Sequence, residues 1–333
     1  MLYAVLHLSS KRLNLNPKGP MRNLFAGLLL GFLSTSTAFA AISESVIEVQ
    51  KNEKVYVVYQ ISKPEKTTLV LLPGVFRGIE QTDKVIALLV KSDINFVAIH
   101  FSGHPRSVLQ YKASEVALYK GGKGLTSEML AGEVEAVVNV LKIKKPLPVS
   151  LSYSATVVPH LNAKKFPVVI ETAPIGAFGD NDPEGTAQRK QWADFMKLWP
   201  PNAIWVNAAK DKAYRDHWTK IANERTEPGS EMAKPENLNR LIEGYMAMAR
   251  ATEEFNLVEQ DFKNTPRRIW ILAENEEPYR MKLQLQALTA ANKALGLNIE
   301  PVVIANSGHT IPMEQPEAYA EVLKAIVKAA NDK

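Results

Sequence analysis

The chain has 333 residues, 46% hydrophobic and 23% charged, a composition that supports a large core and excludes whole-chain disorder. The net charge of +5 sits at one end: residues 1–40 hold Lys11, Arg12, Lys18 and Arg22 and no acid, leaving 36 basic and 35 acidic residues beyond them. That near-neutral body has no cationic footprint, so neither nucleic acid nor anionic lipid is expected as a partner.

Residues 1–40 read as a leader. Met21-Arg22-Asn23 is a short basic start, Leu24–Leu33 is an apolar run, and Ala38-Phe39-Ala40 supplies small residues for cleavage before Ala41. Met21 is expected to be the natural start, with residues 1–20 an upstream extension. The apolar run is too short to span a bilayer, so the body is expected to be periplasmic or secreted, with no stable membrane insertion. There is no cysteine, which rules out thiol catalysis and cysteine-based metal sites.

From residue 41 onward, strands and helices alternate. Ser45–Gln50 and Lys54–Ile61 predict two strands around Lys51-Asn52-Glu53, paired as an antiparallel edge. Thr67–Leu72 predicts a buried strand stopped by Pro73-Gly74. Gln81–Ser92 has helical spacing, with Val85, Leu88 and Leu89 on one face. Phe96–Phe101 predicts a strand and Glu128–Leu141 an amphipathic helix. Leu147–Ser152 and Phe166–Glu171 predict strands around a short helical segment. Arg268–Ala273 and Ile299–Ala305 predict the last strands, and Pro316–Ala330 a closing helix.

This alternation predicts an α/β fold, a mostly parallel sheet with helices on both faces. The rhythm breaks between Ala177 and Phe262, where helical runs carry Trp192, Trp199, Trp205 and Trp218 with Met232, Met246 and Met248. The expected division is a leader at 1–40, a core at 41–176 and 263–333, and a helical cap at 177–262 inserted between late strands.

In open parallel sheets ligands bind beyond the carboxyl ends of strands. Ser152-Tyr153-Ser154-Ala155-Thr156 follows one strand end, and a strand, a tight turn bearing serine and a helix form a nucleophile-elbow layout. Ser154 is the expected nucleophile, with Ser150 and Ser152 assigned to the strand as alternatives. Glu274-Asn275-Glu276-Glu277-Pro278 follows another strand, and Asn306-Ser307-Gly308-His309-Thr310 the last. The order along the chain is serine, acid, histidine. His100 and His104 are expected to be structural, as are His160 and His217. No His-Glu-x-x-His pair or other metal-ligand spacing stands out, and no metal or other cofactor is expected. Gly121-Gly122-Lys123-Gly124 lacks phosphate-loop spacing.

The chain resembles the α/β-hydrolase family over nearly all of its length past the leader. Ser307-Gly308-His309-Thr310-Ile311-Pro312-Met313-Glu314-Gln315-Pro316-Glu317 is similar to that family's histidine loop and last helix. Ser102-Gly103-His104-Pro105-Arg106-Ser107 resembles its Gly-His-Gly-x-Ser loop. Leu71-Leu72-Pro73-Gly74-Val75 stands where the family has its oxyanion loop, with Pro73 replacing histidine. Ala273-Glu274-Asn275-Glu276-Glu277-Pro278 resembles the acid loop and puts Glu276 on the acid position, with Glu274, Glu277 and the more distant Glu171 as alternatives. The elbow departs from Gly-x-Ser-x-Gly: Ser152-x-Ser154-x-Thr156 stands there, followed by Pro159.

The resemblance implies a serine hydrolase of carboxylesterase or lipase type, acting on a small hydrophobic ester-like substrate through an acyl-enzyme. Ser154, Glu276 and His309 would form the triad, and the N–H groups of Val75 and Ala155 would hold the oxyanion. An aminopeptidase, amidase or thioesterase is the alternative within enzymes. A non-catalytic binding protein of the same fold is the alternative outside them.

Overall fold

The computed structural model describes residues 42–50, 53–74, 78–110, 125–175, 228–249 and 255–332, together with residues 216, 219, 220, 223 and 226. The expected leader, Val75 and the four cap tryptophans lie outside the described residues.

Eight described strands form one sheet in the order β1-β2-β4-β3-β5-β6-β7-β8. They are β1 (Ser43–Gln50), β2 (Glu53–Gln60), β3 (Thr68–Leu72), β4 (Phe96–His100), β5 (Pro146–Leu151), β6 (Val168–Thr172), β7 (Arg267–Ala273) and β8 (Val302–Ile304). β1 and β2 pair antiparallel, as does β2 with β4. All later pairings are parallel. This is the expected sheet, antiparallel edge included.

The buried strands β3 and β4 are apolar on both faces because helices cover both. Alternate residues feed different cores, as a period of two requires. Val70 and Leu72 pack on one face with Val97, Ile99 and Val134. Leu69 and Leu71 pack on the other with Val85, Leu89, Tyr319 and Leu323.

The described helices are α1 (Asp83–Lys91), α2 (Pro105–Val108), α3 (Ser127–Val140), α4 (Pro235–Ala249), α5 (Pro278–Leu295), α6 (Ile311–Glu314) and α7 (Pro316–Asn331). α3 begins where the Thr126 side chain accepts the Met129 N–H at 3.1 Å. α5 was not foreseen. The Glu277 carboxylate caps its start, accepting from Tyr279 and Arg280 N–H, and Gly296 at φ +63° ends it. Of the expected cap, the described part is mainly α4 and the return segment 255–262. α4 lies directly on the loop after β4. A Cβ on Gly244 would sit 2.4 Å from the Gly103 carbonyl oxygen, so only glycine permits this approach.

Two strand ends differ from expectation. β8 is only three residues long, and β5 stops at Leu151 rather than Ser152. The single α-helix expected after the elbow is replaced by two 3₁₀ turns, Ser152–Thr156 and Val158–His160. Pro159, which has no N–H to offer, stands within the second turn and works against a continuous helix.

A buried acid supports the upper edge of the sheet. Glu133 on α3 accepts bonds from both the N–H and the hydroxyl of Ser102, at 3.0 and 2.5 Å. Glu133 and Glu53 are both buried, and Glu53 is close enough to act on the Glu133 carboxyl. Burial first, then the neighbouring Glu53, push the Glu133 carboxyl well above the usual carboxylate range. A raised folded-state pKa means that this stabilisation is complete below the unfolded value of about 4.5 and declines as pH rises through the folded value. Glu133→Gln mimics the protonated acid. Thermal melts across pH 4–9 should therefore show a flatter pH dependence in this variant, with no loss of stability at neutral pH.

Candidate active site

β5 delivers Ser152 to the carboxyl edge of the sheet, and Ser152 adopts φ +52°. For a residue with a Cβ this left-handed conformation costs roughly 1–2 kcal/mol. It turns the chain sharply between β5 and the following 3₁₀ turn and lifts the Ser152 side chain out of the sheet. The Ser152 hydroxyl lies 2.7 Å from His309 Nε2. His309 Nδ1 lies 2.7 Å from Glu276 Oε2. With Nδ1–H donating to the carboxylate, Nε2 is left to accept the Ser152 proton. The three side chains thus form one hydrogen-bonded chain, reached from the ends of β5, β7 and β8.

The expected nucleophile Ser154 is not part of this chain. It is fully buried. Its hydroxyl accepts the Leu151 N–H at 2.7 Å and faces the carbonyls of Leu151 and Leu72 at 3.1 and 3.2 Å. The correction follows from the end of β5. Because the strand stops at Leu151, the turn falls on Ser152, and the elbow reads Ser150-x-Ser152-x-Ser154. Ser150 is buried and faces the Ile170 carbonyl at 3.4 Å. The residue following Ser152 is Tyr153, whereas Ala155 packs with Phe255, Leu257 and Trp270.

Glu276, expected at the acid position, is the carboxylate that the structure brings to His309. The Glu277 N–H bonds its Oε1 at 2.9 Å, and the Arg280 guanidinium lies 3.8 Å from the same oxygen. Gln284 Nε2 bonds Oε2 at 3.4 Å. Burial raises the Glu276 pKa, but the His309 hydrogen bond and charge, the Glu277 N–H and Arg280 together outweigh it and hold the carboxyl below its usual range.

The other acids have different partners. Glu274 accepts the Asn306 N–H at 2.8 Å and so ties the acid loop to the histidine loop. Glu277 caps α5. Glu171 pairs with buried Arg268 at 3.0 Å.

The loop after β3 is held at Gly74. The Gly74 N–H donates to Gln81 Oε1 at 3.1 Å, and the Gly74 carbonyl lies 3.1 Å from His104 Nε2. A Cβ at Gly74 would sit 2.5 Å from Gln81 Oε1. His104 is structural, as expected. Burial lowers its pKa to about 4, partly offset by its bond to Gly74, so the ring is neutral at pH 7 and can donate to that carbonyl. His100 is also buried, and burial holds it well below its usual pKa, helped by His104 and Arg106. The Tyr153 hydroxyl donates to the Met248 carbonyl at 2.9 Å, tying the elbow to α4.

The Abhydrolase_6 family model, described as the alpha/beta hydrolase family, matches residues 69–322. The chain belongs to the alpha/beta hydrolase family. Its first matched strand is β3, and the match runs through all three loops that meet at the site. Several solved structures share this fold. One is the esterase EaEST from Exiguobacterium antarcticum, 14% identical, with 86% of this chain and 100% of that one covered at a TM-score of 0.59. Another comes from work on carboxylesterases of the ammonia-oxidizing Thaumarchaeon Nitrososphaera gargenis, 16% identical, with 86% and 100% covered at 0.56. A third is the epoxide hydrolase CorEH, 16% identical, with 86% and 99% covered at 0.56. No curated protein matches the chain.

The Glu276–His309 coupling can be read without any substrate. In the intact protein the Glu276 side-chain carboxyl carbon should titrate below 4.5 by NMR. In His309→Ala the lowering contribution of the imidazole is lost and burial remains, so the same carbon should titrate at a higher pH than in the intact protein.

Proposed function

We propose that the protein is a serine hydrolase that cleaves small ester-like substrates through an acyl-enzyme, with Ser152 as nucleophile, His309 as general base and Glu276 as the acid that orients it. The observation that carries this reading is the continuous hydrogen-bond chain from Ser152 through His309 to Glu276, both links at 2.7 Å. His309 takes the Ser152 proton as the hydroxyl oxygen attacks the acyl carbon, and then gives that proton to the leaving alcohol. A water activated by the same nitrogen attacks the acyl-enzyme and releases the acid. Glu276 stays ionised and stabilises the imidazolium. The Tyr153 backbone N–H is the oxyanion donor that follows the nucleophile. Val75, outside the described residues, remains the sequence-based choice for the second donor.

Two neighbours named as esterases support the ester reading. A serine at the elbow favours it over epoxide opening, for which this family's resemblance implies an aspartate nucleophile. An amidase, aminopeptidase or thioesterase would use the same triad and differ in the substrate pocket, which the expected cap at 177–262 would line. The Met21–Ala40 pattern supports export, placing the activity in the periplasm or outside the cell.

Short p-nitrophenyl esters test the assignment. Ser152→Ala should abolish turnover, a loss on the order of 10⁴-fold or more. Ser154→Ala should retain measurable turnover while melting at a lower temperature, because a buried hydroxyl with backbone partners is lost. The reverse ranking of the two variants would overturn the nucleophile.

A further inference from the structure

The loop bearing His309 is held by a residue outside the triad. Glu314 ends the short helix α6, and its carboxylate folds back over the loop. Oε2 accepts the Gly308 N–H at 2.6 Å. Oε1 accepts the Thr310 N–H at 3.2 Å and the Thr310 hydroxyl at 2.6 Å. One carboxylate therefore grips the backbone on both sides of His309. The fit at Gly308 is tight, since a Cβ there would sit 3.1 Å from Oε2.

We propose that Glu314 is a positioning residue that keeps the His309 ring in register with Ser152 and Glu276 by clamping the residues on either side of it, Gly308 and Thr310. The proposal rests on the serine-hydrolase reading for its consequence in turnover, but not for the clamp itself.

The physical case is one of tolerance. His309 must satisfy two 2.7 Å bonds at once, one from each ring nitrogen. A displacement of about 1 Å in such a constellation can cost roughly 100-fold in rate. β8, which carries the loop, is three residues long and lies at the edge of the sheet, so the strand alone anchors it weakly. Several bonds supplement it. The Ser307 hydroxyl bonds the Ile304 carbonyl at 2.7 Å, Gln315 Nε2 bonds the Asn306 carbonyl at 3.0 Å, and Glu274 accepts the Asn306 N–H. Those contacts fix residues 304–307. Glu314 reaches the N–H groups of the two residues that flank His309, through charge-assisted bonds that are roughly twice as strong as neutral ones. The Thr310 hydroxyl and the Gly308 N–H, in that order, hold the Glu314 carboxyl below its usual pKa. The clamp is therefore ionised throughout neutral pH.

The test uses Glu314→Ala and Glu314→Gln in the full chain. With p-nitrophenyl acetate, Glu314→Ala should lower kcat by about 10–100-fold with KM little changed. Glu314→Gln, which keeps an acceptor but loses the charge, should fall between Glu314→Ala and the intact protein. Hydrogen exchange at the Gly308 and Thr310 amides should accelerate in Glu314→Ala while protection in the central strands is retained. Unchanged kcat in Glu314→Ala would overturn the proposal. So would unchanged exchange at the two amides, or protection lost across the whole sheet, which would make Glu314 a support of the fold rather than of the histidine. If the intact protein itself turns over no ester and takes no phosphonate label, the serine-hydrolase reading fails, and the exchange measurement still decides the clamp.

Discussion

The site depends on one backbone conformation, the left-handed turn at Ser152. At φ +52° the chain reverses just past the end of β5, and the hydroxyl reaches His309 only because of that reversal. A residue with a Cβ adopts this conformation at a cost, and the surroundings must hold it there. On one side is β5, bonded into the middle of the parallel sheet between β3 and β6. On the other is the Ser154 hydroxyl, which turns back to the Leu151 N–H and faces the Leu72 carbonyl. Ser154 thus stabilises the turn that places its neighbour two residues earlier.

Around the turn, several buried polar groups bond to the backbone. Glu133 satisfies Ser102, His104 and Gln81 satisfy the two sides of Gly74, and Tyr153 satisfies Met248. An unpaired polar group in such a place costs about 1–3 kcal/mol, so these bonds choose one arrangement of the loops over its alternatives. The acids follow the same division of labour. Of the four near the carboxyl ends of β7 and β8, Glu276 faces His309, while Glu274, Glu277 and Glu314 hold backbone N–H groups. Three carboxylates thus shape the loops for one that touches the histidine.

Much of this was legible in the sequence. The apolar runs of β3, β4 and β7 and the stripe of α3 carry their periodicity openly, and Glu276 and His309 stand in loops that directly follow strands. The serine that the fold brings to His309 lies two residues before the expected one, because Ser150, Ser152 and Ser154 present the same chemistry with no glycine to mark the turn. What distinguishes them is the left-handed backbone at Ser152, a feature of the turn that the residue types do not signal. The helix α5 was hidden because its buried face uses Gln284, Ala287 and Ala291 alongside Tyr279, Leu283 and Leu288, so little hydrophobic contrast remains. Glu314 reads as a solvated carboxylate until the fold brings it back over Gly308. The expected leader and most of the expected cap lie outside the described residues.

The central claim is that Ser152 carries the reactive hydroxyl. The most direct measurement is to label the full-length protein with a fluorophosphonate probe, digest it and locate the adduct by tandem mass spectrometry. Fragment ions on either side of Tyr153 separate the two serines. The account predicts a single adduct on Ser152, lost in His309→Ala. An adduct on Ser154, or no adduct on folded protein, would contradict it.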